Sequence, residues 1–159
     1  TFASVSIEPG HRLQGTARVT LMGDYQFGSV EFGLQLGHGR LLVEPGARAS
    51  VGQRLPVQTA FEFGGTSGFP GLQIGERRGD REFVAQVQSS WQVRGPVALR
   101  LLLAAGRSAT GGSIFASDRW LAGMRLGVGA TTPIGPLNFE YGFASNGRRA
   151  AFIRVGRWF

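Results

Sequence analysis

Seven charged residues on the polar side of alternating runs are the first candidates for chemistry: Glu31, Glu62, Glu82 and Glu140, with Arg100, Arg125 and Arg154. Carboxylates and guanidinium groups that face one another across a narrow space either neutralise each other or line a path for solutes. Mutual pairing is the expected state, with a conduction or transport pathway as the alternative. Other chemistry is poorly supplied. Gly65–Thr66–Ser67–Gly68 has a passing likeness to a nucleophile elbow, but Phe69 stands where the closing Gly belongs and no strand–turn–helix context surrounds it. His11 and His38 are solitary and beside turns, no carboxylate–His group has metal-ligand spacing, and there is no cysteine. No catalytic residue, metal site or cofactor is expected, and the chain reads as a protein without enzymatic activity.

The elements that must position these charges are strands. Among 159 residues there are 26 Gly, and 42% of the chain is apolar. Glycine interrupts every candidate helical window, and apolar residues rarely recur at three-four spacing. Period-two alternation is instead pervasive. It runs over Phe2–Glu8, His11–Asp24, Ser29–Gly37, Arg40–Gly52 (with a kink or bulge expected at Pro45–Gly46), Gln53–Gly64, Arg81–Val93 and Val97–Leu103. It returns in three runs between Leu121 and Phe159. Pro9–Gly10, His38–Gly39 and Arg94–Gly95–Pro96 read as tight turns. Two stretches break the rhythm: a long loop over 65–80 and a second over 106–119. Short turns on one side and long loops on the other match the connections of a transmembrane barrel.

Charge and hydropathy exclude several classes. Only 17% of the chain is charged, below the usual quarter for a soluble domain. All 17 basic residues are Arg and the net charge is +7. They are dispersed singly, with only Arg77–Arg78 and Arg148–Arg149 adjacent, so no basic stripe for nucleic acid forms. The longest apolar run, Leu101–Ala105, is far too short for a transmembrane helix. Thr1 opens directly into a strand-like pattern without a signal peptide, which suits a mature form or an excised fragment.

Alternation alone permits either face to be the core. A soluble ligand-binding β-barrel would turn its Phe, Leu and Val faces inward, whereas a membrane barrel turns them outward. Two features favour the membrane: the apolar faces continue from strand to strand, and Trp91, Trp120, Tyr141, Trp158 and Phe159 fall at expected strand ends, as interfacial girdles do. The expected fold is all-β, an antiparallel transmembrane β-barrel of about 8–10 strands occupying 1–159 as a single domain.

The terminal run Phe152–Phe159, with Ile153, Val155, Gly156, Trp158 and Phe159 at its signal positions, resembles the β-signal that ends Gram-negative outer-membrane barrels. Thr132–Pro133–Ile134–Gly135–Pro136–Leu137, followed by Phe139–Glu140–Tyr141–Gly142, resembles the penultimate hairpin of the BamA/TamA outer-membrane assembly-factor superfamily. Upstream, Gly68–Phe69–Pro70–Gly71–Leu72 and then Gly75, Glu76, Arg77, Arg78, Gly79 and Asp80 stand where that superfamily places its lumen-inserted loop, with five strands to follow. Pro70 occupies the place of the family's loop Arg, a variant closer to barrels fused to patatin-like phospholipases, and Arg77 or Arg78 is the available substitute.

The resemblance implies a bacterial outer-membrane location, with lipid and the outer-membrane assembly machinery as partners. It also implies a scaffold, insertion or translocation module that works through the seam between its first strand and Ala150–Phe159. A second copy of the chain, or a domain upstream of Thr1, would complete it, since periplasmic repeats and a catalytic domain are not within these residues. The membrane anchor of a patatin-like lipase is the competing reading. Deleting Phe159 should impair assembly in the outer membrane while leaving refolding in detergent largely intact. Normal membrane insertion of the deletion would remove the β-signal assignment.

Overall fold

The computed structural model describes residues 2–8, 11–21, 25–56, 58, 60–65, 68–112, 120–132 and 135–156. It is all-β, with no α-helix among the described residues. Strands β1 (Phe2–Glu8), β2 (His11–Leu21), β3 (Gln26–His38) and β4 (Leu41–Gln53) precede a long excursion. That excursion holds a minimal hairpin, β5 (Phe61–Glu62) with β6 (Arg78–Gly79). Strands β7 (Arg81–Arg94), β8 (Val97–Ala109), β9 (Leu121–Thr132), β10 (Gly135–Ala144) and β11 (Arg149–Val155) follow.

Nine strands form one sheet in the order β1-β2-β3-β4-β7-β8-β9-β10-β11, each antiparallel to its neighbour. Strands β1 and β11 are its edges, with no ladder between them among the described residues. The strand count agrees with the alternation. One rim carries the short connections: Gly39–Arg40, and Gly95–Pro96 after β7. Gly39 (φ 59°) and Gly95 (φ 54°) supply the left-handed backbone that such turns require. The opposite rim carries the excursion over 54–80 and the connection over 110–120.

The structure departs from the sequence pattern at several points. Of the run Gln53–Gly64, no described residue beyond Gln53 joins the nine-stranded sheet. The Gly52 amide bonds the Asp80 carbonyl at 2.6 Å, closing the base of the excursion, and β7 takes over the pairing with β4 from Arg81. Among the described residues after Gln53, Phe61–Glu62 forms a ladder, with β6, so the loop spans 54–80 rather than 65–80. Pro45–Gly46 makes no bulge: β3–β4 pairing lapses between Gly33↔Gly46 and Leu36↔Val43 and resumes in register, while Pro45 stays paired with Val87 on the β7 side. A missing N–H costs ladder bonds without displacing the strand. The turn after β3 is Gly39–Arg40, one residue later than expected, and β8 continues to Ala109 before the second loop begins.

Register fixes two unlike faces. One row runs Ser90–Arg100–Gly127–Glu140–Phe152 and the next Gln88–Leu102–Arg125–Gly142–Ala150. This inner face is polar and small. The other face carries Val30, Phe32, Leu36, Val87, Trp91, Leu99, Leu103, Met124, Leu126, Val128, Leu137, Phe139, Ile153 and Val155, all exposed. The side expected to be apolar is thus the outward one, the reverse of a soluble barrel.

The buried core consists of the excursion packed on the inner face. Phe63, Phe69 and Leu72 have no exposed surface and pack with Val84 (β7), Ala104 (β8), Leu121 (β9) and Ala144 (β10). The Phe63 and Phe69 rings stack 4.8 Å apart. Glycines make the room. A Cβ on Gly123 would lie 2.8 Å from the Phe69 ring, and one on Gly142 would lie 2.5 Å from the Gly71 amide nitrogen. Gly68 borders one cavity beside β3 and β4 and another beside β8–β11. The seven strands β3, β4 and β7–β11 laid flat would span roughly 28 Å, and since Gly68 borders cavities toward both ends of that set, the sheet curls about its loop.

The packing predicts that Gly142→Ala, which forces a methyl group against the Gly71 backbone, destabilises the fold by about 1–3 kcal/mol. Gly33→Ala, on the same face with open space around its Cβ, should be near neutral. Denaturant midpoints of the two variants test this, and equal midpoints would refute the close approach.

Candidate functional site

The strongest concentration of charge on the inner face is centred on Glu140. Alternation on β10 points its side chain inward, where only 7% of it is exposed. Three arginines from three other strands converge on it. Arg154 (β11) donates to Oε1, Arg125 (β9) places Nη1 3.5 Å from Oε2, and Arg100 (β8) lies 3.9 Å from Oε1. Gly127 provides the space, since a Cβ there would meet the Glu140 Cγ at 2.9 Å. Arg125 also lies over the Phe152 ring, 5.3 Å from its centroid.

Arg125 has a second task that was not legible in advance. Its Nη2 donates to the carbonyl oxygens of Gly65 (2.9 Å) and Gly68 (3.1 Å), fastening the loop to the wall. The expected loop cations do not do this. Arg78 pairs with Glu62 at 2.6 Å across the small hairpin, with both side chains well exposed, and the Arg77 carbonyl accepts the Phe63 amide. The docking cation thus comes from the sheet and the loop supplies the acceptors, the reverse of what Arg77 or Arg78 was expected to provide.

The remaining expected charges divide. Glu82 is buried and belongs to a separate group: it forms an ion pair with Arg48, whose Nε lies 2.9 Å away and whose Nη2 donates at 3.5 Å, and it accepts the Ser50 hydroxyl at 3.0 Å. Glu31 is the strand partner of Arg48 and borders the cavity beside β3 and β4. Glu62 lies in the loop hairpin, outside both groups, because the segment that carries it is not a wall strand. Missed on sequence were Arg48, Ser50 and Glu44, the last of which accepts from Gln35 (2.7 Å) and Gln88 (3.2 Å). Their signal was the polar phase Glu44–Gly46–Arg48–Ser50–Gly52, which Pro45 interrupts on the opposite face.

The loop motif is accounted for residue by residue. Phe69, Pro70 and Leu72 are fully buried, and Gly71 (φ 79°) passes against the backbone of β10. Gly75 (φ 70°) makes the turn after Ile74. Glu76 accepts the Gln73 amide at 2.8 Å and pairs with Arg148 at 2.9 Å. Gly79 packs tightly against β8, and Asp80 accepts the Gly111 amide at 2.9 Å. Of the terminal signal, Ile153 and Val155 are exposed on the outer face and the Gly156 amide bonds the Pro136 carbonyl at 2.9 Å; Trp158 and Phe159 lie outside the described residues, as does Ser67. Tyr141 is in the middle of β10 rather than at a strand end, paired with Leu126 and Ala151. Among the described residues no group of His, Asp and Glu is arranged to hold a metal ion.

No family model matches the sequence, and no curated protein matches it at a significant level. The chemistry of the inner face therefore rests on its own residues: ion pairing, hydrogen bonding and fastening of the loop.

Glu140→Gln removes the one carboxylate shared by three guanidinium groups and should cost about 3 kcal/mol or more. Glu62→Gln, at an exposed pair, should cost under about 1 kcal/mol. Unfolding midpoints compare the two, and equal losses would mean that the Glu140 group is not the organising one.

Proposed function

We propose that this chain is a membrane-embedded β-sheet protein of the outer-membrane β-barrel type. In this reading its apolar face meets lipid, its polar face and loop fill the interior, and it acts as a non-catalytic scaffold, insertion or translocation module akin to the assembly-factor superfamily. The observation that carries this is the inverted polarity: large apolar side chains stand exposed across β3, β4 and β7–β11, while Glu82, Arg125 and Glu140 are buried on the opposite face. Water would make such an outer face a large aggregation surface, whereas hydrocarbon makes it the stable one.

The dimensions support the same reading. Phe83, against which Trp120 packs at 5.8 Å, is near the long-loop rim, and the exposed Trp91 is near the short-turn rim. Eight residues of strand separate Phe83 and Trp91, roughly 27 Å along the strand and about 20 Å after the usual tilt, of the order of an outer-membrane apolar band. Spanning strands would need every backbone group paired, so closure through β1 and β11, within one copy or with further strands, follows from the proposal. The assembly-factor part of the reading is supported by the loop folded against the inner face and the five strands, β7–β11, after it. Bacterial outer-membrane lipid and the assembly machinery are the partners it entails.

Leu126→Arg tests the membrane reading directly. Leu126 is 48% exposed in mid-strand, so in a water-soluble protein the charge should change stability by no more than about 0.5 kcal/mol. Facing lipid, it should cost about 2–4 kcal/mol and block insertion into vesicles. The companion measurement is heat-modifiable gel mobility of the refolded wild-type chain. A folded, unshifted band obtained in plain buffer, with Leu126→Arg tolerated there, would overturn the proposal.

A further inference from the structure

We propose that the inner-face cavity bounded by Arg100, Arg125 and Arg154 binds a small soluble oxyanion of the class of inorganic phosphate. The cavity measures about 270 Å³ and is bordered by those three arginines, Glu140, Gln86 and Gln88, the Gln88 amide being turned to Glu44 at 3.2 Å. Its charged groups are three guanidinium ions against one carboxylate, an excess of two positive charges. Glu140 satisfies the three arginines unequally: Arg154 and Arg125 each take one of its oxygens, whereas Arg100, at 3.9 Å, is attracted but makes no hydrogen bond to it. The Nε–H groups of Arg100 and Arg154 are buried without a hydrogen-bond acceptor among the described residues. A guanidinium presents its donors as a planar fork that fits two oxygens of an oxyanion.

The surroundings direct an anion to this place. The adjoining cavity beside β3 and β4 is bordered by Glu31 and Glu44 against Arg48, an excess of negative charge. The inner face is therefore acidic on one side of Gly68 and basic on the other. Arg125 is held by the Gly65 and Gly68 carbonyls as well as by Glu140, so the loop fixes one wall of the basic side before any ligand arrives. At roughly 30 Å³ per water, the volume suits a tetrahedral oxyanion with part of its hydration shell. A lipid headgroup is a poor occupant, because the cavity opens on the face opposite the exposed apolar side chains. The site is defined by the inner face alone and holds whether or not the outer face meets lipid.

The test is calorimetric titration of the full chain with inorganic phosphate, against chloride at matched ionic strength, in whichever medium keeps the chain folded. That choice separates this inference from the membrane reading. Saturable phosphate binding near 1 mM is expected, with chloride at least tenfold weaker. Arg100→Gln, which leaves both hydrogen-bonded partners of Glu140 in place, should weaken phosphate at least tenfold. Arg78→Gln, in the distant pair with Glu62, should leave it unchanged. Absence of saturable binding, parity with chloride, or full binding by Arg100→Gln would each overturn the proposal. Tighter binding of a short-chain phosphatidic acid than of phosphate would assign the site to a headgroup and overturn the soluble-ion assignment.

Discussion

A carboxylate withdrawn from water must be neutralised where it stands, and Glu140 is the group that imposes this on the molecule. Partner cations can reach it only from strands that β9–β11 and β8 bring alongside, which ties the register of four strands to one charge. The same requirement explains why Gly127 stands opposite Glu140: any side chain there would occupy the carboxylate's path. Arg125, once drawn to Glu140, has donors left over, and the loop carbonyls take them. Charge on the wall and order in the loop are thus two ends of one hydrogen-bonded chain.

The loop in turn supplies what the sheet lacks. The inner faces of β7–β10 are too small and polar to make a core among themselves, and Phe63, Phe69 and Leu72 bring in the apolar bulk. This leaves the large side chains of the strands on the outside with nothing among the described residues to cover them. A protein that builds its core from a loop and exposes its strands' apolar faces has divided its hydrophobic residues between two surroundings. Inside they pack into one buried cluster, and outside they line β3, β4 and β7–β11.

Much of this was legible because alternation is local. The phases of β7, β9, β10 and β11 were read directly from Trp91, Leu126, Phe139 and Ile153, and the register then gathered Arg100, Arg125, Glu140 and Arg154. Gln53–Gly64 misled for the same reason: Phe61 and Phe63 alternate with Glu62, yet alternation describes an extended backbone and does not say what it pairs with. The bond from Gly52 to Asp80, closing nearly thirty residues, decided that, and no local pattern encodes it. The docking role of Arg125 was hidden similarly. Its acceptors are main-chain oxygens about sixty residues upstream, and a carbonyl has no sequence signature.

Because Arg125 grips the oxygens of Gly65 and Gly68, the grip needs the backbone to keep its path there, and a side chain at Gly68 would collide with the Gly64 backbone. The grip also depends on the position of β9 along its neighbours. A slip of two residues would preserve the inward phase of every side chain, yet carry the guanidinium about 7 Å along the wall and away from both loop and carboxylate. Arg125 therefore works as a vernier, reporting in one set of hydrogen bonds whether the strands around it have been laid down at the right height.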